Sequence, residues 1–246
     1  MAPQLSVVVP AFNEAARIGP TLDRLVGFAG GLAGGAEILV VDDGSTDGTA
    51  ELARRPEYRD APGLRWLRLP QNRGKGAALR AGVLASTGDE VLLCDADLST
   101  PIEEYERLRP RLAEAAVVLG SRGLADSKIG RRQPRYRELM GRTFNLVVRT
   151  VAVGGIRDTQ CGFKLLRGTA ARALFADLRI DRFAYDVELI WLARRRGLKV
   201  VEVGVTWIDS PASSVHALRD SARMLADILR IRWFHRGEPA GQSRGH

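Results

Sequence analysis

The feature that most constrains this chain is the regular position of its acidic and glycine-rich clusters, each of which follows a short apolar run. Such runs occupy Leu5–Val9, Ile38–Val41, Leu64–Leu69 and Val91–Cys94, and each leads into turn chemistry and then a helix-like pattern. Val117–Leu119 reads as a fifth strand. Alternation of this kind predicts βαβ units and a mostly parallel sheet flanked by helices, an α/β fold whose ligands bind at the carboxyl ends of the strands. The segments found there are Pro10–Glu14 (PAFNE), Asp42–Gly48 (DDGSTDG), Asn72–Gly76 (NRGKG) and Asp95–Asp97 (DAD). All four are polar and are expected to line one cleft.

The second half is less regular. It reads as helices over Arg137–Val151 and Asp186–Arg196, a strand-like Lys199–Ile208 and a final helix from about Val215 to Phe234, around a turn-rich Asp158–Lys164. No repeat or linker interrupts it, so one domain over residues 1–236 with a polar tail at 237–246 is expected. A hydrophobic share of 45% in 246 residues supports a buried core and excludes a disordered chain.

A net charge of +8 favours an anionic or phosphate-bearing partner. The excess is local: Arg122–Arg149 holds eight basic and two acidic residues, which accounts for six of the eight net charges. Cys94 and Cys161 lack metal-ligand spacing and predict a reducing compartment without disulfides. The start of the sequence shows no secretory n-region, and no apolar run approaches the roughly 18 residues of a bilayer span. The expectation is a cytoplasmic protein with at most peripheral membrane contact.

Asp95 and Asp97 carry the clearest chemistry. Two carboxylates two residues apart at a strand end can face one cation, and oxygen ligands suit Mg²⁺ or Mn²⁺ better than zinc. The plainer reading, helix capping, is weakened because Thr100-Pro101-Ile102-Glu103 supplies a capping box of its own. Asp42 and Asp43 suit ribose hydroxyls or a base N–H as well as they suit a turn, whereas Asp47 reads as a cap for the next helix. Asn72–Gly76 opens a helix running through Val83. Its N-terminus, with Arg73 and Lys75, favours an anion or nucleotide, although the spacing is not that of a P-loop.

Taken without further context, Gly162 reads as a turn residue, Cys161 as core and Lys164 as solvated. His216, His235 and His246 read as surface residues. The final helix presents Val215, Leu218, Ala222, Leu225, Ile228 and Leu229 on one face. Docking of that face on the core is the plainer expectation, and membrane binding through Trp233 and Phe234 the alternative.

The stretches VVVPAFNE, VVDDGSTDGT, NRGKGAALRAG, LLCDADLSTP, GSR, DTQCGFKLL, FAYDVELI and VTW, in that order over residues 5–208, resemble the family 2 glycosyltransferases of the GT-A fold. The branch they resemble glycosylates polyprenyl phosphates, and DTQCGFK and FAYDVEL are most similar to its dolichyl-phosphate glucosyltransferases. The resemblance implies that Pro10, Asn13, Glu14, Asp42, Asp43 and Arg73, with Lys75, bind the nucleotide sugar. It further implies that Asp95 and Asp97 hold the metal on the diphosphate, and that Arg122 faces the acceptor phosphate with Arg135 or Arg137 as a second clamp. Asp186 or Glu188 lies where the wider family often places a catalytic carboxylate. Ser99 stands where mannosyl relatives carry Gln, which leaves a metal ligand set of two carboxylates.

What the resemblance implies is an inverting transfer of glucose from UDP-glucose to a polyprenyl phosphate at an anionic membrane surface. The competing enzymatic readings are a GDP-mannose donor, or a soluble or polysaccharide acceptor; a hydroxyl acceptor would need Asp186 as a base, a phosphate acceptor would need the basic segment. A nucleic-acid-binding module would explain the charge but not three acidic clusters at strand ends. A non-catalytic nucleotide-sugar sensor would carry the same motifs.

Overall fold

A computed structural model of the chain describes residues 2–131, 154–208 and 217–236. The first strand, β1 (Leu5–Ala11), is buried along nearly its whole length, as a strand covered on both faces must be. It pairs in parallel with β2 (Ala36–Asp42) and β4 (Glu90–Leu93), and β2 pairs in parallel with β3 (Leu64–Arg68). β5 (Val117–Ser121) and β8 (Val200–Gly204) pair in parallel on the far side. Between β4 and β5 runs β7 (Lys164–Arg167), antiparallel to both, and the sheet order is β3-β2-β1-β4-β7-β5-β8. The expected mostly parallel sheet is therefore present, with one reversed strand, β7, between β4 and β5.

Alternation along the strands divides the core in two. Val8, Leu39, Val41, Val91 and Leu93 pack with helices α2 (Lys75–Ala85), α3 (Gly168–Asp177) and α4 (Tyr185–Arg195) on one face. Val7, Val9, Ile38, Val40 and Leu92 meet α1 (Ile18–Gly31) and the short helical turns around Tyr105–Leu108 on the other. Truncating a fully buried side chain such as Leu39 to alanine would cost about 2–5 kcal/mol.

Several expectations are corrected here. Lys199–Ile208 is two strands: β8 ends at Gly204, and β9 (Thr206–Ile208) leaves the main sheet to pair in parallel with β6 (Lys128–Arg131). The capping box at Thr100–Glu103 does not form; Pro101 precedes a 3₁₀ turn at Ile102–Glu104 without any side-chain cap. The last helix, α5 (Ala217–Phe234), docks on the core through Met224, Ile228 and Ile231, while Leu229 is exposed, so its buried stripe is rotated from the expected one. The helix expected over Arg137–Val151 and the start of the final helix at Val215 and His216 lie outside the described residues. Among the described residues no helix is long and apolar enough to cross a membrane.

Candidate active site

The carboxyl ends of β1, β2, β3 and β4 form one rim, and the reversed β7 brings its amino end to the same rim. Register fixes this: Lys164 lies opposite Leu93 on one side and Leu119 on the other. The Asp158–Phe163 loop thereby arrives beside Asp95–Asp97. Its glycine is required for that approach, because a Cβ on Gly162 would lie 2.2 Å from Asp95 Oδ2.

On the β1–β3 side the acidic clusters are largely engaged in holding the loops. Asn13, with a left-handed φ of 55°, accepts the Thr46 N–H at 2.9 Å on its side-chain oxygen, while its own N–H donates to Ser45 Oγ at 2.9 Å. Glu14 pairs with Arg17, and its N–H donates to Thr49 Oγ1 at 2.8 Å. Asp47 accepts the N–H of Thr49 at 3.0 Å and also that of Ala15, but the cap position of the 3₁₀ turn Thr49–Arg54 is Gly48, so Asp47 closes a local turn one residue ahead of its expected cap. Pro10 sits near the end of β1, opposite Val41.

Asp42 and Asp43 differ despite being adjacent. The buried Asp43 carboxylate accepts the N–H groups of Arg73 (2.9 Å) and Gly74 (2.7 Å) and the Asn72 amide (3.0 Å). Burial, with the nearby Asp42 and Asp181 charges, outweighs those bonds and raises its pKa. Asp42 Oδ1 accepts the Ser45 N–H at 2.8 Å, but its buried Oδ2 has no hydrogen-bond partner, the Arg68 Nε lying 3.3 Å away without the alignment of a bond. Asp42 thus leaves one enclosed oxygen with only the Arg68 charge beside it, and Asp43 is spent on shaping the NRGKG turn.

That turn is also packed differently from a phosphate cradle. A Cβ on Gly76 would lie 2.5 Å from the Ile180 carbonyl oxygen, and the Ala77 N–H donates to the Asp181 carbonyl at 2.9 Å. The glycines at the start of α2 admit the 180–182 loop. Arg73 pairs with Asp181 at 2.8 Å, half exposed, and Lys75 pairs with Asp95.

The β4–β7–β5 side concentrates charge in the interior. Burial alone would raise the Asp95 carboxyl, but Lys75, Lys164 and Arg122 outweigh it and hold it below the ordinary range. Asp97 accepts the Ser99 N–H at 3.0 Å and is only partly buried. Arg122 donates to Asp158 from Nε (2.7 Å), Nη2 (2.9 Å) and its backbone N–H (3.0 Å), a bidentate clamp with the guanidinium 5.6 Å from the centre of the Trp207 ring. Against the cost of burial, that clamp lowers Asp158 to about 2 and raises Arg122.

Lys164 is the largest correction. Read as solvated, it is fully buried, donating to Asp186 Oδ1 and to the Cys161 carbonyl, each at 2.5 Å. The apolar Phe163, Leu165 and Leu166 around it were the available signal. Asp186 therefore lies at the site with a fixed partner, and its charge acts on the buried Tyr185 hydroxyl, whose pKa is raised by burial and then by Asp186. Glu188 is elsewhere: it accepts the N–H groups of Arg179 and Ile180 and pairs with His235 at 2.7 Å. His235, expected at the surface, is fully buried. Sequence reasoning also missed Asp158 and Asp181, whose roles exist only through contacts far along the chain. Arg135 and Arg137 lie outside the described residues, and the two cysteines are buried and free.

The donor set at Asp95 and Asp97 is all oxygen and fits a hard divalent cation, and Gly162 preserves the space the Asp95 carboxylate needs. Among the described residues no third His, Cys, Asp or Glu joins them in a metal-holding group.

The model for "Glycosyl transferase family 2" matches residues 6–175. The dolichyl-phosphate beta-glucosyltransferase of Dictyostelium discoideum is 37% identical over 241 residues, covering 93% of this chain and 74% of that protein. The human protein of that name is 34% identical over 242 residues, covering 93% and 75%. Among solved structures, glucosyl-3-phosphoglycerate synthase from Mycobacterium tuberculosis in complex with Mn²⁺ and UDP-glucose superposes with a TM-score of 0.67 at 25% identity, covering 94% of this chain and 79% of that one. A mannosyltransferase from Pyrobaculum calidifontis in complex with GDP-Man and Mn²⁺ shares the fold at 21% identity and a TM-score of 0.62, covering 94% and 65%.

Proposed function

The chain belongs to glycosyl transferase family 2, with the GT-A fold, and on that premise we propose that it transfers glucose from UDP-glucose to a polyprenyl phosphate of the dolichyl type. The observation that carries this reading is the state of Asp186. Its carboxylate is buried against Lys164, so the site offers no free base there to deprotonate a hydroxyl acceptor. A phosphate acceptor needs none. One of its oxygens bonds to glucose C1 as the bond from C1 to the UDP oxygen breaks; the electron pair leaves with UDP, no proton moves, and the configuration at C1 inverts.

Asp95 and Asp97 would hold Mg²⁺ or Mn²⁺, which when bound stabilises the charge that develops on the leaving diphosphate. Asp42 would accept from ribose or the base once the Arg68 contact yields, and Pro10, Asn13, Glu14, Asp43 and Arg73 would shape that half of the pocket. Arg122 would meet the acceptor phosphate with the donors its clamp leaves over, with Arg135 or Arg137 as a second contact. The basic Arg122–Arg149 segment would face anionic headgroups at the cytoplasmic side of a membrane, each nearby cation contributing about 1 kcal/mol. Lys128 and the exposed Ile129 and Ile208 on the β6–β9 sheet support that orientation.

The test incubates the protein with radiolabelled UDP-glucose or GDP-mannose, Mg²⁺ and polyprenyl phosphate, and counts label in the organic phase. UDP-glucose should label the lipid. Arg122→Ala should impair use of the lipid phosphate while UDP binding by calorimetry is retained. Greater transfer from GDP-mannose, or wild-type kinetics for Arg122→Ala, would overturn the donor or the acceptor assignment respectively.

A further inference from the structure

Lys75, Lys164 and Arg122 are the three cations that hold the Asp95 carboxyl low, and they are not held alike. Lys164 is fully enclosed, with bonds to Asp186 and the Cys161 carbonyl. Arg122 is fixed by three bonds to Asp158 and by the Trp207 ring. Lys75 has one hydrogen-bonded partner, Asp95 Oδ1, at the end of a four-carbon stem that is 20% exposed. It is also the first residue of α2, so its backbone sits at the rim and its side chain can reach outward. Of the three, Lys75 is the cation able to change partners.

The oxygen it holds belongs to one of the two carboxylates assigned to the divalent cation. A divalent ion at that carboxylate would sit within a few ångströms of the Lys75 ammonium, and the two cations repel each other. We propose that Lys75 is the resident counter-cation of the metal carboxylates in the ligand-free protein, and that it moves from Asp95 to the donor diphosphate when metal and nucleotide enter together. This rests on Asp95 and Asp97 being the metal-holding pair. A metal ion entering alone leaves the mostly buried Lys75 ammonium without its hydrogen-bonded partner; nucleotide supplies an anion that pairs it again. Metal and nucleotide consequently bind with positive coupling, and Lys75 is a principal source of it. The arrangement keeps the site neutralised without a metal and disfavours metal loading without a donor.

The experiment titrates the full chain with Mn²⁺, reading free ion by electron paramagnetic resonance, with and without UDP, for the wild type, Lys75→Met, Lys75→Gln and Asp97→Asn. Thermal unfolding of each confirms a folded protein. Both Lys75 variants should bind Mn²⁺ alone roughly tenfold more tightly than the wild type, and UDP should tighten Mn²⁺ binding by a smaller factor in them than in the wild type. Mn²⁺ affinity without UDP that is unchanged or weaker in both variants overturns the proposal, even where Asp97→Asn abolishes Mn²⁺ binding and the metal reading stands. If the wild type fails to bind Mn²⁺ with UDP present, the metal assignment fails and this proposal with it.

Discussion

The two halves of the rim solve the problem of holding charged groups in different ways. On the β1–β3 side, carboxylates such as Asp43 and Asp47 are satisfied mainly by backbone N–H groups a short distance along a turn or one loop away, and the arginines are half exposed. On the β4–β7–β5 side, side chain meets side chain in the interior, as in Lys164–Asp186 and Arg122–Asp158. A carboxylate held by backbone amides is insensitive to which side chains surround it. A buried ion pair fails when either member is removed, because the survivor is left as an uncompensated charge.

The largest difference should therefore appear at Lys164. Lys164→Met is expected to lower unfolding stability by about 3–5 kcal/mol, since Asp186 would remain buried and unpaired. The double variant Lys164→Met/Asp186→Leu should recover at least half of that loss, as buried pairs replaced by apolar groups often do. Denaturant unfolding of the three proteins would measure both values. A single variant within about 1 kcal/mol of wild type would erase the contrast between the two halves.

Next in size is Asp97, which lies between the halves and makes only a local bond to the Ser99 N–H. Asp97→Asn is expected to reduce transfer by roughly 100-fold or more, in the range seen when a charge-stabilising contact is lost, with little change in melting temperature. Chelation by EDTA should do the same to the wild type and be reversed by Mg²⁺ or Mn²⁺. Full activity in EDTA would remove the metal from the scheme.

The Arg122–Asp158 clamp provides a pH-dependent comparison. Asp158 is lowered to about 2 in the folded chain against about 3.9 when unfolded. Its contribution, of order 2 kcal/mol, is fully present above the unfolded value and is lost as pH falls through the folded one. The stability gap between wild type and Asp158→Asn should stay constant from pH 7 to about 4.5 and close between about 4 and 2. Unfolding titrations across that range would show it, and a gap that persists at pH 2 would mean the clamp is not what Asp158 supplies.

The same division explains what could be read from the sequence. The strands of the first half, their order of ligand loops and the acidic clusters after them are local patterns: apolar alternation, then Asp, Asn and Gly turn chemistry. β7 is four residues long and reversed, so nothing in its own composition announces that it splits β4 from β5. Lys164, Asp158 and the Glu188–His235 pair depend on that insertion or on docking of α5, contacts between segments tens of residues apart. Gly162 was visible as a turn residue, but the reason it must be glycine is the Asp95 carboxylate 67 positions earlier, which no local pattern encodes.

The smallest expected effect tests the β1–β3 half on its own terms. Arg73 and Asp181 form a half-exposed pair, and such pairs contribute little because water and salt screen them. The 180–182 loop is instead held to α2 by backbone: the Asp181 carbonyl accepts the Ala77 N–H, and Gly76 leaves room for the Ile180 carbonyl. Asp181→Ala keeps that backbone and should cost no more than about 1 kcal/mol, with a further decrease in high salt. Gly76→Ala should cost more, about 1–3 kcal/mol, although it removes no charge and alanine is the better helix former, because its methyl must push the loop away. Urea unfolding of the two variants at low and high salt would rank them. If Asp181→Ala proved the more damaging, side-chain charge would be holding the β1–β3 half as well, and the two halves of the rim would be built alike.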